Sequence, residues 1–328
     1  MSKLHISPAP HIHQKGGFTT NVMLDVTIAL LPAAVAGVAI FGLQALWTIL
    51  TCVFAAVTTE FLFNLCTRKK QTVGDLSAVV TGLLLALNLS TQVPLWQCAV
   101  GSVFAILIVK CLFGGLGNNI VNPAIAARVF MLLTFSATVG AVANPTIGEL
   151  LKKLNPEVVD LTSSATPLAA LNLGAEAVAT TEGFPSILRM FLGLHGGTIG
   201  ETCAIALLIG FAYLVIRKVI KWYVPVSYIG TVFICYLLSD GFDVAFALQH
   251  VLAGGLLLGA IFMATDYVTT PTTNLGRVVF CVGCGLLTFA IRKFGMYPEG
   301  VSIAILTMNL LTPFISNFTK RRTLGGVK

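Results

Sequence analysis

The chain has 328 residues, of which 56% are hydrophobic and only 10% charged, with a formal net charge of +7. An ordinary soluble domain carries about a quarter charged residues, so this composition excludes that class and points to a polytopic membrane protein. The basic residues are scattered among loops, which argues against nucleic acid as a partner and makes their positions a record of topology.

The opening stretch, "MSKLHISPAPHIHQKGGFTT", is polar and carries Pro8 and Pro10 in an extended arm. It lacks the apolar core and cleavage site of a secretory signal, so residues 1–21 are read as a cytoplasmic arm. His5, His11 and His13 within it are too loosely spaced to define a metal cluster. Beyond it, a ruler of about 20 apolar residues per crossing predicts an all-α protein with ten transmembrane helices. They fall near 22–42, 44–66, 76–91, 94–113, 123–142, 201–217, 223–239, 249–265, 277–294 and 300–318.

These spans group into a first transmembrane half, 22–142, and a second, 201–318, followed by a short tail, 319–328. With the N-terminus inside, all but five of the 20 Lys and Arg residues fall on the inner face, the exceptions being Lys152, Lys153, Arg189, Arg292 and Lys293. That asymmetry places both termini in the cytoplasm and residues 143–200 outside. The two halves share patterns: "VVTGLLLALNLST" (79–91) resembles "LAGGLLLGAIFMATD" (252–266), and "NPAIAARVF" (122–130) resembles "TPTTNLGRVVF" (270–280). An odd number of helices per unit makes the second copy enter upside down, so a 5+5 inverted repeat is expected.

Residues 143–200 are polar, but contain "TPLAALNL" and "FPSILRMFLGL", apolar enough for a small folded cap. Thr146 and Glu149 suit the start of a short helix there. The segment "HGGTIGETC" (195–203) offers Gly197 and Gly200 for close backbone approach, Thr198 as a helix cap and Glu201 beside it, a set suited to border an anionic ligand. Two further polar breaks, 114–128 and 265–277, are expected to be either plain loops or the lining of a second ligand site or ion path. Among carboxylates near or within spans, Glu60, Asp25 and Asp75 are the candidates for an ion path. Cys281 and Cys284 share a helix face, but two thiolates alone cannot hold an ordinary iron–sulfur cluster.

The stretch "DLTSSATPL" (160–168) is, by residue chemistry, a turn of hydroxyl side chains before a proline. The order of its residues, however, looks like the acceptor pattern of flavin transferases, Asp-x-x-(Ser/Thr)-x-Ala-Thr. Asp160, Ser163 and Ala165 occupy the defined positions, Ser164 stands where Gly is preferred, and Thr166 is the residue that would carry FMN through a phosphoester bond. Together with "SPAPHIH", "MLDVTIALLPA", "GDLSAVVTGLLLALNLS", "GNNIVNPAIAARVF", "GGTIGETCAIALLIG" and "MATDYVTTPTTNLGR", the whole chain resembles the D subunit of Rnf complexes. It is more distantly similar to the B subunit of the Na+-translocating NADH:quinone oxidoreductase, whose longer N-terminal extension it lacks.

That resemblance implies an electron-transfer subunit in a bacterial inner membrane, coupling ferredoxin:NAD+ oxidoreduction to Na+ or H+ movement. It implies covalent FMN and a non-covalent riboflavin whose binding residues the sequence leaves unassigned. The implied partners are the other membrane and peripheral subunits, among them a second flavin-bearing subunit and iron–sulfur subunits, with a flavin transferase and membrane lipid. A role like that of the quinone-reducing relative, or a secondary transporter without redox chemistry, stays open as an alternative.

Overall fold

Every apolar run expected to span becomes helical, but not every run becomes one helix. The computed structural model describes residues 18–141, 143, 145, 167–174, 184–295 and 299–319. The arm with its histidines, Thr146, Glu149, the motif residues Asp160, Ser163, Ser164, Ala165 and Thr166, and the last nine residues lie outside that set.

In chain order the helices are α1 (Phe18–Phe41), α2 (Leu43–Cys66), α3 (Ser77–Leu87), α4 (Leu95–Cys111), α5 (Pro123–Thr134), α6 (Ser136–Val139) and α7 (Pro167–Asn172). They continue as α8 (Ile187–Leu192), α9 (Ala204–Ile216), α10 (Tyr223–Ser239), α11 (Val244–Leu252), α12 (Leu256–Met263), α13 (Asn274–Phe294) and α14 (Val301–Phe318). Four of them, α1, α2, α13 and α14, are long and apolar enough to cross a membrane by length and composition. Five more, α3, α4, α5, α9 and α10, are apolar but only 10–17 residues long.

The expected eighth span, 249–265, is corrected in form. It begins earlier, at Val244, and is two helices, α11 and α12, meeting at a bend of 69°. Gly254, with a φ of 71° that favours glycine, and Gly255 make that bend. The fifth run is also interrupted: α5 stops at Thr134, and Phe135 leaves helical geometry before the single turn of α6. The sixth helix begins at Ala204, so Glu201 lies outside it in a non-helical strap.

Close packing depends on small residues, as expected where lipid gives helices no hydrophobic reason to associate. A Cβ on Gly210 of α9 would stand 2.3 Å from the Ala29 carbonyl oxygen of α1, and one on Gly82 of α3 would stand 2.8 Å from the Val53 Cα of α2. The outer faces carry Leu43, Trp47, Phe54, Leu62 and Leu286, all exposed. A shell of such side chains fits a lipid environment rather than water. The core between the halves is formed by α3, α12 and their neighbours, with Leu85, Leu87, Leu256 and Leu258 fully buried.

Candidate functional site

The two polar breaks meet across a cleft. Helix α5 starts at Pro123, a residue suited to the first helical position, and Asn122 caps it, its Oδ1 accepting from the amides of Ala124 (3.0 Å) and Ile125 (3.4 Å). Helix α13 starts likewise, with the Thr273 hydroxyl accepting from the Gly276 amide at 3.0 Å. Beside the start of α5 lies a cleft of about 90 Å³ that both breaks line. Asn119, Asn122 and Pro123 of the first break and Thr265, Asp266 and Tyr267 of the second line it, with apolar walls from Val26, Leu84 and Phe262.

One buried amide joins the two breaks. With the Asn309 side chain of α14 set to satisfy both of its ends, its oxygen accepts from the Asn122 amide (3.2 Å) and its nitrogen donates to the Thr269 carbonyl (3.3 Å). Asp266, three residues past α12, accepts from the Val268 amide (3.3 Å) and the Thr269 hydroxyl (3.0 Å). Burial nevertheless pushes its carboxyl above the usual carboxylate range.

A hydrogen-bonded chain reaches the cleft from α2. Lys110, buried in the π-helical second half of α4, donates from Nζ to Glu60 Oε2 (2.8 Å) and to the Ser77 hydroxyl (2.6 Å). Glu60 Oε1 accepts from the Thr72 hydroxyl at 2.6 Å, and Thr72 accepts from the Asn64 amide at 3.0 Å. The Ser77 hydroxyl donates in turn to Asp75. Two of the carboxylates suspected from sequence, Glu60 and Asp75, are thus linked through Lys110 and Ser77, both of which line the cleft. Asp25 stands apart, tying α1 to the end of α9 through Tyr213 (2.9 Å) and Arg217 (3.2 Å). From sequence, Lys110 counts only as an inner-face charge. The signal for more is its position inside the apolar run "FAILIVKCLF".

The strap 195–203 docks on the far end of α3. The amides of Ile199 and Gly200 donate to the carbonyls of Leu89 (3.0 Å) and Leu87 (2.8 Å). Thr198 does not cap α9, as its residue type led one to expect, because Cys203 occupies the cap position. Its amide instead donates to Glu201 Oε1 at 3.0 Å. Glu201 and Gly197 are neighbours: a Cβ on Gly197 would lie 2.8 Å from Glu201 Oε1. Glu201 is buried, and that burial, with Glu299 nearby, pushes its carboxyl up to about 7. Glu299 itself is held by Arg128 Nη2 at 2.7 Å.

Neither Glu299 nor Arg128 is a candidate from sequence, since a pairing across 171 positions leaves no local trace. Cys281 and Cys284 are fully buried in α13, and among the described residues no three His, Cys, Asp or Glu side chains converge as metal ligands. Helix α7 begins at Pro167, the residue after Thr166. Its Leu168 packs against Gly254 of the α11–α12 bend, beside Arg292.

An all-helical protein with apolar outer faces, a broken helix pair and a cleft lined by two polar breaks belongs to the class of polytopic membrane proteins. Residues 5–325 match the NQR2, RnfD, RnfE family, and the chain is a member of that family. It is 46% identical to the D subunit of the Na+-translocating ferredoxin:NAD+ oxidoreductase complex of Acetobacterium woodii, over 99% of this chain and 96% of that one. It is 42% identical to the D subunit of the proton-translocating ferredoxin:NAD+ oxidoreductase complex of Clostridium ljungdahlii, over 98% of this chain and 96% of the relative. The D subunit of the ion-translocating oxidoreductase complex of Stutzerimonas stutzeri is 37% identical over 93% of this chain and 92% of its own.

Proposed function

We propose that this chain is the membrane electron-transfer D subunit of an Rnf-type complex, coupling ferredoxin:NAD+ oxidoreduction to movement of Na+ or H+. Full-length similarity to subunits so named supports the assignment to the complex. The observation that carries the redox reading beyond it is the cleft between the two polar breaks. Its lining, apolar at Val26, Leu84 and Phe262 and polar at Ser77, Asn119, Asn122 and Asp266, supports placing a non-covalent riboflavin there. The cation among its described lining residues, Lys110, is already neutralised by Glu60, which favours a ligand without phosphate inside the cleft.

A second flavin, FMN, is assigned to Thr166 through a phosphoester. Support comes from the motif and from the two residues that follow the acceptor, since Pro167 is buried and Leu168 packs against Gly254 of the α11–α12 bend. Flavins supply one- and two-electron transfer, and the protein supplies their position and surroundings. Here Lys110, fixed by Glu60 and Ser77, presents an ammonium to the cleft, and Asp266 presents a carboxyl held by Thr269. The remaining finer readings belong to the same proposal. They are ten crossings in a 5+5 inverted repeat, both termini in the cytoplasm, and residues 143–200 outside, within reach of a flavin transferase. The partners are the other membrane subunits, flavin-bearing and iron–sulfur subunits, and lipid.

The test is chemical. Denatured subunit, produced with its transferase, should fluoresce as a flavin band on a gel, and its Thr166 peptide should carry the mass of one FMN. Thr166→Ala should lose that band while acid extraction still releases riboflavin. Absence of flavin in both fractions of the wild-type complex would refute the redox reading and leave the transporter without redox chemistry.

A further inference from the structure

The loop between α9 and α10 and the second polar break border a cavity of about 120 Å³, lined by Lys218, Lys221, Tyr267, Thr270 and Arg277 among others. A single water takes roughly 10–15 Å³ of such space, so a phosphate group fits. No Asp or Glu lines the cavity, and among the described residues none forms an ion pair with its three cations. Asp25 is taken by Arg217 and Tyr213, and Asp266 accepts from the Val268 amide and the Thr269 hydroxyl. Lys221 donates from Nζ to Asn274 Oδ1 at 2.6 Å, and Arg277 donates from Nε to the Pro271 carbonyl at 3.0 Å.

Fold stability does not account for these cations. Lys221 stands two residues before α10, and Arg277 lies in the first turn of α13. The dipole at a helix start favours negative charge, yet neither helix has an acid in its first turn. Lys218 follows the end of α9 with a φ of 59°, in the region that favours glycine. All three cations are thus held where the helix field or the backbone disfavours them. An anion in the cavity is attracted by all three charges and by two helix starts.

The surroundings decide which anion. Trp222, beside Lys221, and Tyr267, in the cavity wall, are both exposed. These residue types settle at the level of lipid headgroups. Around them Ile216, Val226 and Leu275 present exposed apolar side chains. A soluble anion gains nothing from that border, whereas a lipid lays its chains on it and its phosphate in the cavity. Basic pockets between membrane helices hold acidic headgroups in this way.

We propose that Lys218, Lys221 and Arg277 bind the phosphate of an anionic phospholipid. Val219, Ile220, Thr265 and Tyr267 line both this cavity and the cleft, so the headgroup lies against the second polar break. The site stands apart from the redox reading. Inorganic phosphate and a phosphorylated flavin reaching out of the cleft carry the same chemistry, and the arms of the test separate these sources.

The experiment places the purified whole complex in nanodiscs of phosphatidylcholine with a minor fraction of phosphatidylglycerol, one or the other bearing a photoreactive acyl chain. Labelled peptides are identified by mass spectrometry after illumination. Phosphatidylglycerol should label the peptides around 216–226 and 275 several-fold more than phosphatidylcholine does, and high salt should weaken that preference. Lys218→Gly removes a cation at a position glycine suits, so it should keep or raise the unfolding midpoint. It should also lower the preference about fivefold, equivalent to the roughly 1 kcal/mol that a basic residue contributes near an acidic surface. Arg277→Gln should lower it likewise, and Arg277→Lys, which keeps the charge, should restore most of it. Equal labelling by the two lipids, the result if an acidic segment of a partner subunit fills the cavity, would overturn the site. So would a preference that survives Lys218→Gly and Arg277→Gln combined. Competition by inorganic phosphate or by FMN, with none by excess phosphatidylglycerol, would reassign the phosphate and overturn the lipid.

Discussion

Replacing Lys110 by Met removes the only side-chain cation bonded to Glu60 among the described residues and strands its carboxylate in the bundle. Both side chains are essentially buried, at 3% and 2% exposure, so water cannot take over the lost bond. Glu60 keeps the Thr72 hydroxyl, which is a hydrogen bond but not a counter-charge. Breaking a buried pair by removing one partner costs about 3–5 kcal/mol, whereas replacing both partners with apolar or neutral groups of similar volume is often close to neutral. At about 2 °C per kcal/mol for a chain of this size, Lys110→Met should lower the unfolding midpoint of the detergent-solubilised complex by roughly 6–10 °C. The double variant Glu60→Gln/Lys110→Met should recover at least half of that loss. Thermal unfolding followed by intrinsic fluorescence, at low and high salt, measures both, and the effect should hardly depend on salt because the pair is shielded from it. A single variant within a degree of wild type, or a double variant less stable than the single, would show that Glu60 is not held by Lys110.

Three other outcomes follow from the geometry. The Glu201 carboxyl is raised from its ordinary 4.5 to about 7, so the folded state holds its proton more tightly than the unfolded one. Its contribution to stability is therefore complete below the ordinary value and is lost as pH climbs toward about 7. The midpoint of the complex should fall over that window in wild type and fall less in Glu201→Gln. Asn309→Leu leaves the Asn122 amide without its partner, while the Thr269 carbonyl keeps the Thr312 hydroxyl at 2.8 Å, a loss of about 1–3 kcal/mol for the one buried group left unsatisfied, visible as a lower midpoint and less riboflavin in acid extracts. Gly210→Ala drives a methyl to within 2.3 Å of the Ala29 carbonyl, so α1 and α9 must separate at a cost of about 1–3 kcal/mol, and protease sensitivity of the α1–α9 contact should rise.

Legibility in the sequence differs from element to element. Runs of apolar residues announce helices, and each of the ten runs contains one. Where a run stops being one helix is less visible: Gly254 and Gly255 look like any small pair in a membrane helix, and only packing decides that they bend the chain by 69°. Nothing in "FMLLTFSATV" distinguishes Phe135 as the place where α5 ends. Glu60 is suspect because charge in hydrocarbon is expensive, and the same argument applied to Lys110 would have named its partner. Glu201 looks like a residue at a membrane-entry turn and is instead buried, because the strap folds onto the carbonyls of Leu87 and Leu89. Arg128 and Glu299 meet only in three dimensions, and one sequence holds no record of that.

The Asn309 amide gives the cleft a property neither break has alone. Its two ends hold backbone groups from opposite halves of the chain, Asn122 on one side and Thr269 on the other. Pulling either loop away from α14 strips the shared amide of one partner and loosens its hold on the other, so neither loop can leave singly without a penalty. They act as paired jaws on a single pin. A shift of α14 at Asn309 would therefore loosen both loops together.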